Sequence, residues 1–147
     1  MSSGKQCAVA KILPGSEIKL SVVLQIGDRR ARAERCLASL LGQELPCGME
    51  ILLIDYSAGS HVPIAGAEHP MVITTAKDRL EPIGESRAEA VRAARGDIVA
   101  FIEEHCVALP GWAGSIVSAH ASGWAGVGGE VHTGNPGVGI SDLIALT

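Results

Sequence analysis

Apolar residues along this chain follow two alternating rhythms. Leu20-Ser21-Val22-Val23-Leu24-Gln25-Ile26 is a nearly continuous apolar run, and Ile51-Leu52-Leu53-Ile54, within Glu50 to Tyr56, is another. Short runs of this kind suit strands covered on both faces. Between them Ala33, Cys36, Leu37, Leu40 and Leu41 recur at helical spacing, with Asp28 placed to cap the start and Gly42 to stop the end. The alternation then repeats. His61 to Pro70 is irregular, Met71 to Thr75 reads as a short strand, Ile83 to Arg95 as an Ala-rich helix stopped by Gly96, and Asp97 to Ile102 as the next strand. Pro110 can open a helix over Gly111 to Ala121, with Trp112, Ile116 and Ala119 or His120 facing inward and Gly123 closing it. Ala125 to Val131 reads as a final, glycine-weakened strand, and Ile140 to Leu146 as the beginning of a helix. Strands alternating with helices predict an α/β domain, a mostly parallel sheet with helices on both faces.

Such sheets bind ligands beyond the carboxyl ends of their strands. Three polar groups reach that edge independently: Gly27-Asp28 after the first strand, Asp55-Tyr56-Ser57 after the second, and Glu103-Glu104-His105 after the fourth. The last group is the most informative. Adjacent carboxylates repel one another, and a hard divalent cation removes that cost while leaving positions open for phosphate oxygens. On an extended chain Glu103 and His105 share one side and Glu104 takes the other, so the natural chelating pair is Glu103 with His105 unless the loop turns. A nitrogen ligand tilts the choice toward Mn²⁺ over Mg²⁺. Three polar residues alone would also suit a solvated acidic loop; the convergence of three strand ends favours a ligand site. The chain has no Gly-x-Gly-x-x-Gly after the first strand and no Gly-Lys-Ser/Thr loop, which counts against ordinary dinucleotide and P-loop functions.

At 147 residues and 47% hydrophobic, the chain is the size of one domain with material for a real core. Residues 1–19, turn-rich around Pro14-Gly15-Ser16, read as a loose leader ahead of a domain over 20–147. The net charge of −4 argues against a nucleic-acid or anionic-membrane partner. No apolar run reaches the ~20 residues needed to span a bilayer, so no membrane segment is expected. Cys7, Cys36, Cys47 and Cys106 lack paired short spacing, which fits reduced thiols in a cytoplasmic setting. Cys106 reads as a packed thiol, with no base placed to activate it.

The order of motifs from about Leu20 onward resembles the donor-binding portion of a family 2 glycosyltransferase, with the Rossmann-like GT-A fold. Ser21-Val22-Val23-Leu24 with Gln25-Ile26-Gly27-Asp28-Arg29 is similar to the family's opening strand and turn, and Cys36-Leu37-Ala38-Ser39-Leu40-Leu41-Gly42-Gln43 to its first helix. Ile54-Asp55 matches the strand-end aspartate, Gly84-Glu85-Ser86-Arg87-Ala88-Glu89-Ala90 the Gly-x-x-x-Ala-Arg-Asn segment, and Ala93 to Ile102 the lead into Asp-x-Asp. Glu103-Glu104-His105 occupies that metal motif, followed by Leu109-Pro110-Gly111-Trp112 and Val127-Gly128-Gly129. The departures are Gln25-Ile26-Gly27 without the usual proline and threonine, Tyr56 for Asp or Asn, and Glu-Glu-His for the aspartates.

The resemblance implies a glycosyltransferase that binds a nucleotide-diphosphate sugar through a divalent metal, Mn²⁺ or Mg²⁺, and transfers the sugar to a saccharide or lipid-linked acceptor in polysaccharide biosynthesis. It implies that Asp55 accepts a hydrogen bond from the base, Arg87 pairs with the diphosphate or helps order the site, Glu103 and His105 hold the cation, and Glu104 contacts ribose or sugar hydroxyls. Arg87 equally suits a surface salt bridge on its helix. The family's catalytic base lies beyond the point where this sequence stops, so the fold is expected to be incomplete at its carboxyl end. A non-catalytic nucleotide- or partner-binding module is the alternative, with a related nucleotidyltransferase as a third. An apolar face left uncovered would favour self-association.

Overall fold

The computed structural model describes residues 17–27, 29–45, 48–56 and 62–134. The first strand, β1 (Ile18–Ile26), leads into helix α1 (Arg30–Leu41) and strand β2 (Gly48–Asp55). After a run of turns come β3 (Val72–Ala76), α2 (Ile83–Ala93), β4 (Ile98–Glu103) and α3 (Trp112–Ala121). The strands form one sheet in the order β3-β2-β1-β4, with every neighbouring pair parallel. The expected α/β, GT-A-like architecture is therefore present.

The two faces divide by the parity of the strand residues. Leu20, Val22, Leu24 and Ile26 join Ile51 and Leu53 beneath α1, whose Ala33, Cys36, Leu37 and Leu40 are fully buried, and Ala113 of α3 completes this larger core. Val23, Leu52 and Ile54 face the opposite way and meet Ala90 of α2. Each fully buried Leu, Ile or Val contributes about 1.5–3 kcal/mol by leaving water. The continuous apolar runs exist because β1 and β2 are central strands with both faces covered.

At the amino end of the sheet Glu50 is fully buried. It accepts hydrogen bonds from the Ser21 hydroxyl (2.6 Å), the Arg95 backbone N–H (2.7 Å) and Arg95 Nε (2.7 Å), with Arg95 Nη2 at 2.6 Å. Burial alone would push this carboxyl up; the Ser21 hydroxyl and the Arg95 amide and guanidinium outweigh it and hold it below the usual glutamate value. Gly96 N–H donates to Ser21 Oγ at 2.9 Å, and a Cβ on Gly96 would stand only 2.7 Å from Ser21 N. Glycine is required there by close backbone approach rather than by its torsion angles.

Several expectations are corrected. β1 begins at Ile18, two residues inside the expected leader, and α2 ends at Ala93 rather than Arg95. The cap position of α1 falls to Arg29, which makes no side-chain capping bond; Asp28 lies outside the described residues. Ala125 to Val131 is not a strand: the segment is exposed and unpaired, and nothing lies within 4 Å of where side chains on Gly126, Gly128 and Gly129 would sit. A strand needs a partner and something to pack on, and three glycines in seven residues offer neither. The helix expected over Ile140 to Leu146 lies outside the described residues.

Candidate functional site

Glu103 closes β4, and its backbone carbonyl receives the Cys106 N–H at 2.9 Å, which folds the chain into a turn. This turn brings His105 back toward its neighbour. Glu103 Oε2 lies 3.6 Å from His105 Nδ1, while Glu103 Oε1 lies 3.8 Å from an Arg87 guanidinium nitrogen. One carboxylate thus presents one oxygen to the imidazole and the other to a cation from α2. The Glu103 and His105 side chains are 59% and 57% exposed, so the pair is open to an incoming ligand.

A carboxylate oxygen and an imidazole nitrogen are donor types that a divalent cation accepts. Neighbouring ligands of an octahedral ion bound at about 2.1 Å stand roughly 3 Å apart, close to the observed gap. Among the described residues no group of three or more His, Cys, Asp or Glu side chains is placed to hold a metal. Remaining positions on an ion held by Glu103 and His105 would fall to water and to ligand oxygens.

Glu104 turns the other way, as the alternation predicts, and takes on a task not read from the sequence. Its Oε2 accepts the Gly27 N–H at 2.7 Å, tying the loop after β4 to the loop after β1. Asp55 belongs to the opposite face of the sheet from Glu103: it is in register with Ile26 of the larger core, whereas Glu103 is in register with Gln25. Asp55 is 7% exposed and lies 3.8 Å from Arg30 of α1. Arg30 in turn donates to the Val62 carbonyl, so α1 joins β2 to the turns that follow it.

The loop leaving the site is fastened by α1. Ser39 Oγ accepts the Ala108 N–H at 2.9 Å; Gln43 Nε2 donates to Leu109 O at 3.1 Å, and Gln43 Oε1 accepts the Ala113 N–H at 3.1 Å. Gln43 therefore caps α3, whose preceding residue, Gly111, has φ +84°. Cys36 lies beside this loop, and burial, with smaller contributions from Cys106 and Glu104, pushes its thiol up to about 12. A thiol so raised is not a nucleophile at neutral pH.

The structure thus brings together Glu103, His105 and Arg87, sets Glu104 against Gly27, and places Asp55 across the sheet with Arg30. The sequence reading missed Arg30, Gln25 and Phe101. Phe101 lies under Arg87, 5.2 Å from guanidinium carbon to ring centre. The signal for Gln25 was parallel register: it stands opposite Glu103, as Val23 stands opposite Phe101.

A parallel four-stranded sheet with helices on both faces is the α/β arrangement of the GT-A kind. The family model of glycosyl transferase family 2 matches residues 21–141, and the chain belongs to that family. A comparison with curated proteins gives no match. No helix among the described residues is long and apolar enough to cross a membrane.

Proposed function

We propose that this domain binds a nucleotide-diphosphate sugar through a divalent cation, Mn²⁺ or Mg²⁺, and presents it for transfer of the sugar to a saccharide or lipid-linked acceptor. The carrying observation is the arrangement around Glu103, with imidazole 3.6 Å from one oxygen and guanidinium 3.8 Å from the other, at a strand end in a family 2 chain. Glu103 and His105 hold the cation in this reading. The bound cation supplies positive charge to offset the negative charge that grows on the departing nucleotide diphosphate.

The chain's own groups do the rest of the donor work. Arg87 contributes a permanent charge toward the diphosphate, and Asp55 accepts a hydrogen bond from the base. Glu104, already holding Gly27 through Oε2, contacts ribose or sugar hydroxyls. In the transfer, the bond from the anomeric carbon to the diphosphate oxygen breaks, a bond to the acceptor oxygen forms, and the acceptor proton goes to a base. A cytoplasmic role in polysaccharide biosynthesis follows from this reading.

The test is titration calorimetry with UDP, GDP and TDP, with and without Mn²⁺, on the wild-type chain and on His105→Ala. One nucleotide is expected to bind only with the metal, and the variant to bind it at least about tenfold more weakly. Binding to none of the three, or binding indifferent to both metal and His105, would overturn the reading.

A further inference from the structure

We infer that Gln25 is a positioning residue of this donor site, acting by locking the Arg87 guanidinium into place before any ligand arrives; the inference rests on the donor reading above. Gln25 interrupts the apolar run of β1 one residue before its end, in register with Glu103 of β4. Paired residues of parallel strands share a face, and period two places Val23, Phe101 and Glu103 on that same face, the one covered by α2. A polar side chain here faces α2 and the ends of β2 and β4.

Both ends of the Gln25 amide are used. Nε2 donates to Ser86 Oγ at 2.7 Å, and Oε1 accepts from Arg87 Nε at 3.1 Å. Ser86 is fully buried, and its hydroxyl leans on the Ile83 carbonyl at 3.3 Å. These partners define the amide's orientation. A flip would set NH₂ against the Nε–H of Arg87, donor against donor, and would leave the Ile83-directed hydroxyl without its incoming donor.

The consequence falls on Arg87. An arginine side chain is rich in rotamers and loses that freedom when a ligand orders it. Gln25 fixes it at Nε, the Phe101 ring supports its plane at 5.2 Å, and the outer nitrogens are left facing Glu103 Oε1 at 3.8 Å. Binding a phosphate then requires less ordering at the moment of contact, which is preorganisation. Glu103 is orientated in the same act, since its Oε1 meets a guanidinium that cannot swing away, leaving Oε2 toward His105.

The test compares Gln25→Met, which keeps length and volume but makes no hydrogen bonds, with Arg87→Ala and with the double variant. The probe is whichever of UDP, GDP and TDP binds the wild-type chain with Mn²⁺, together with its monophosphate; a thermal melt confirms that each variant folds. Loss of Arg87 positioning is expected to lower the ratio of diphosphate to monophosphate affinity by about tenfold, with the double variant no weaker than Arg87→Ala alone. A purely structural strap would lower the melting temperature and leave that ratio unchanged. Additive losses in the double variant, or an unchanged ratio in Gln25→Met, would overturn the inference while leaving the donor reading standing. Failure of the wild-type chain to bind any diphosphate would overturn both. Where Gln25→Met does not melt cooperatively, Gln25→Ala takes its place with the same expected ratio.

Discussion

Individual residues in this chain are constrained most tightly where two backbones nearly touch. Gly96 is the clearest case: an added Cβ would meet Ser21 N at 2.7 Å and the Leu20 carbonyl carbon at 2.9 Å, and neither main-chain atom can swing aside. Gly96→Ala is expected to cost at least about 2 kcal/mol, the scale of overpacking in a filled interior, measured by urea unfolding. Gly114, on α3, has open space around the corresponding position, so Gly114→Ala is the control and should be neutral or stabilising. Such demands come from distant parts of the chain. No local pattern around Gly96 distinguishes a glycine that ends a helix from one that must sit against Ser21, and the sequence reading took it for the former.

At the scale of elements, α1 does more than cover the sheet. Ser39 in its last turn and Gln43 just beyond its end hold the segment that runs from the end of β4 into α3. Gln43→Ala is expected to remove about 1–2 kcal/mol of stability and to speed hydrogen exchange at the Ala113 amide more than at the β1 amides. β1, β2, β4 and α1 were legible in the sequence because their patterning is local: short apolar runs for the strands, a 3.6-residue stripe ending at Gly42 for the helix. The glycine-rich Ala125 to Val131 segment was misread because its alternation resembles a strand, whereas strand formation depends on a neighbour that composition cannot supply. The Glu103–His105 pairing was expected from an extended chain, whereas it forms across the turn closed by the Cys106 N–H on the Glu103 carbonyl. Arg30 beside Asp55 and Gln25 beside Arg87 were not legible, since those contacts join segments 25 and 62 residues apart.

For the molecule as a whole, Glu50 couples folding to acidity. Its folded value lies below the unfolded one, about 4.3 for glutamate, so its contribution is complete at neutral pH and is lost as pH falls below that value through the folded one. Glu50→Gln is expected to lose about 1–3 kcal/mol at pH 7, a difference from the wild type that narrows as pH falls below the unfolded value, read from paired denaturant melts. Glu50 thus sits at the amino end of the sheet, and the groups proposed to bind the donor at the carboxyl end. The parity that sets Asp55 and Glu103 on opposite faces carries one more consequence. A donor that engages both must lie across the rim of the sheet like a saddle, base to the α1 side and diphosphate to the α2 side. Nucleoside and pyrophosphate, offered as separate fragments, should then occupy their halves together without competing, each weakly, and the covalent bond between them would convert two feeble grips into a firm one through effective concentration alone.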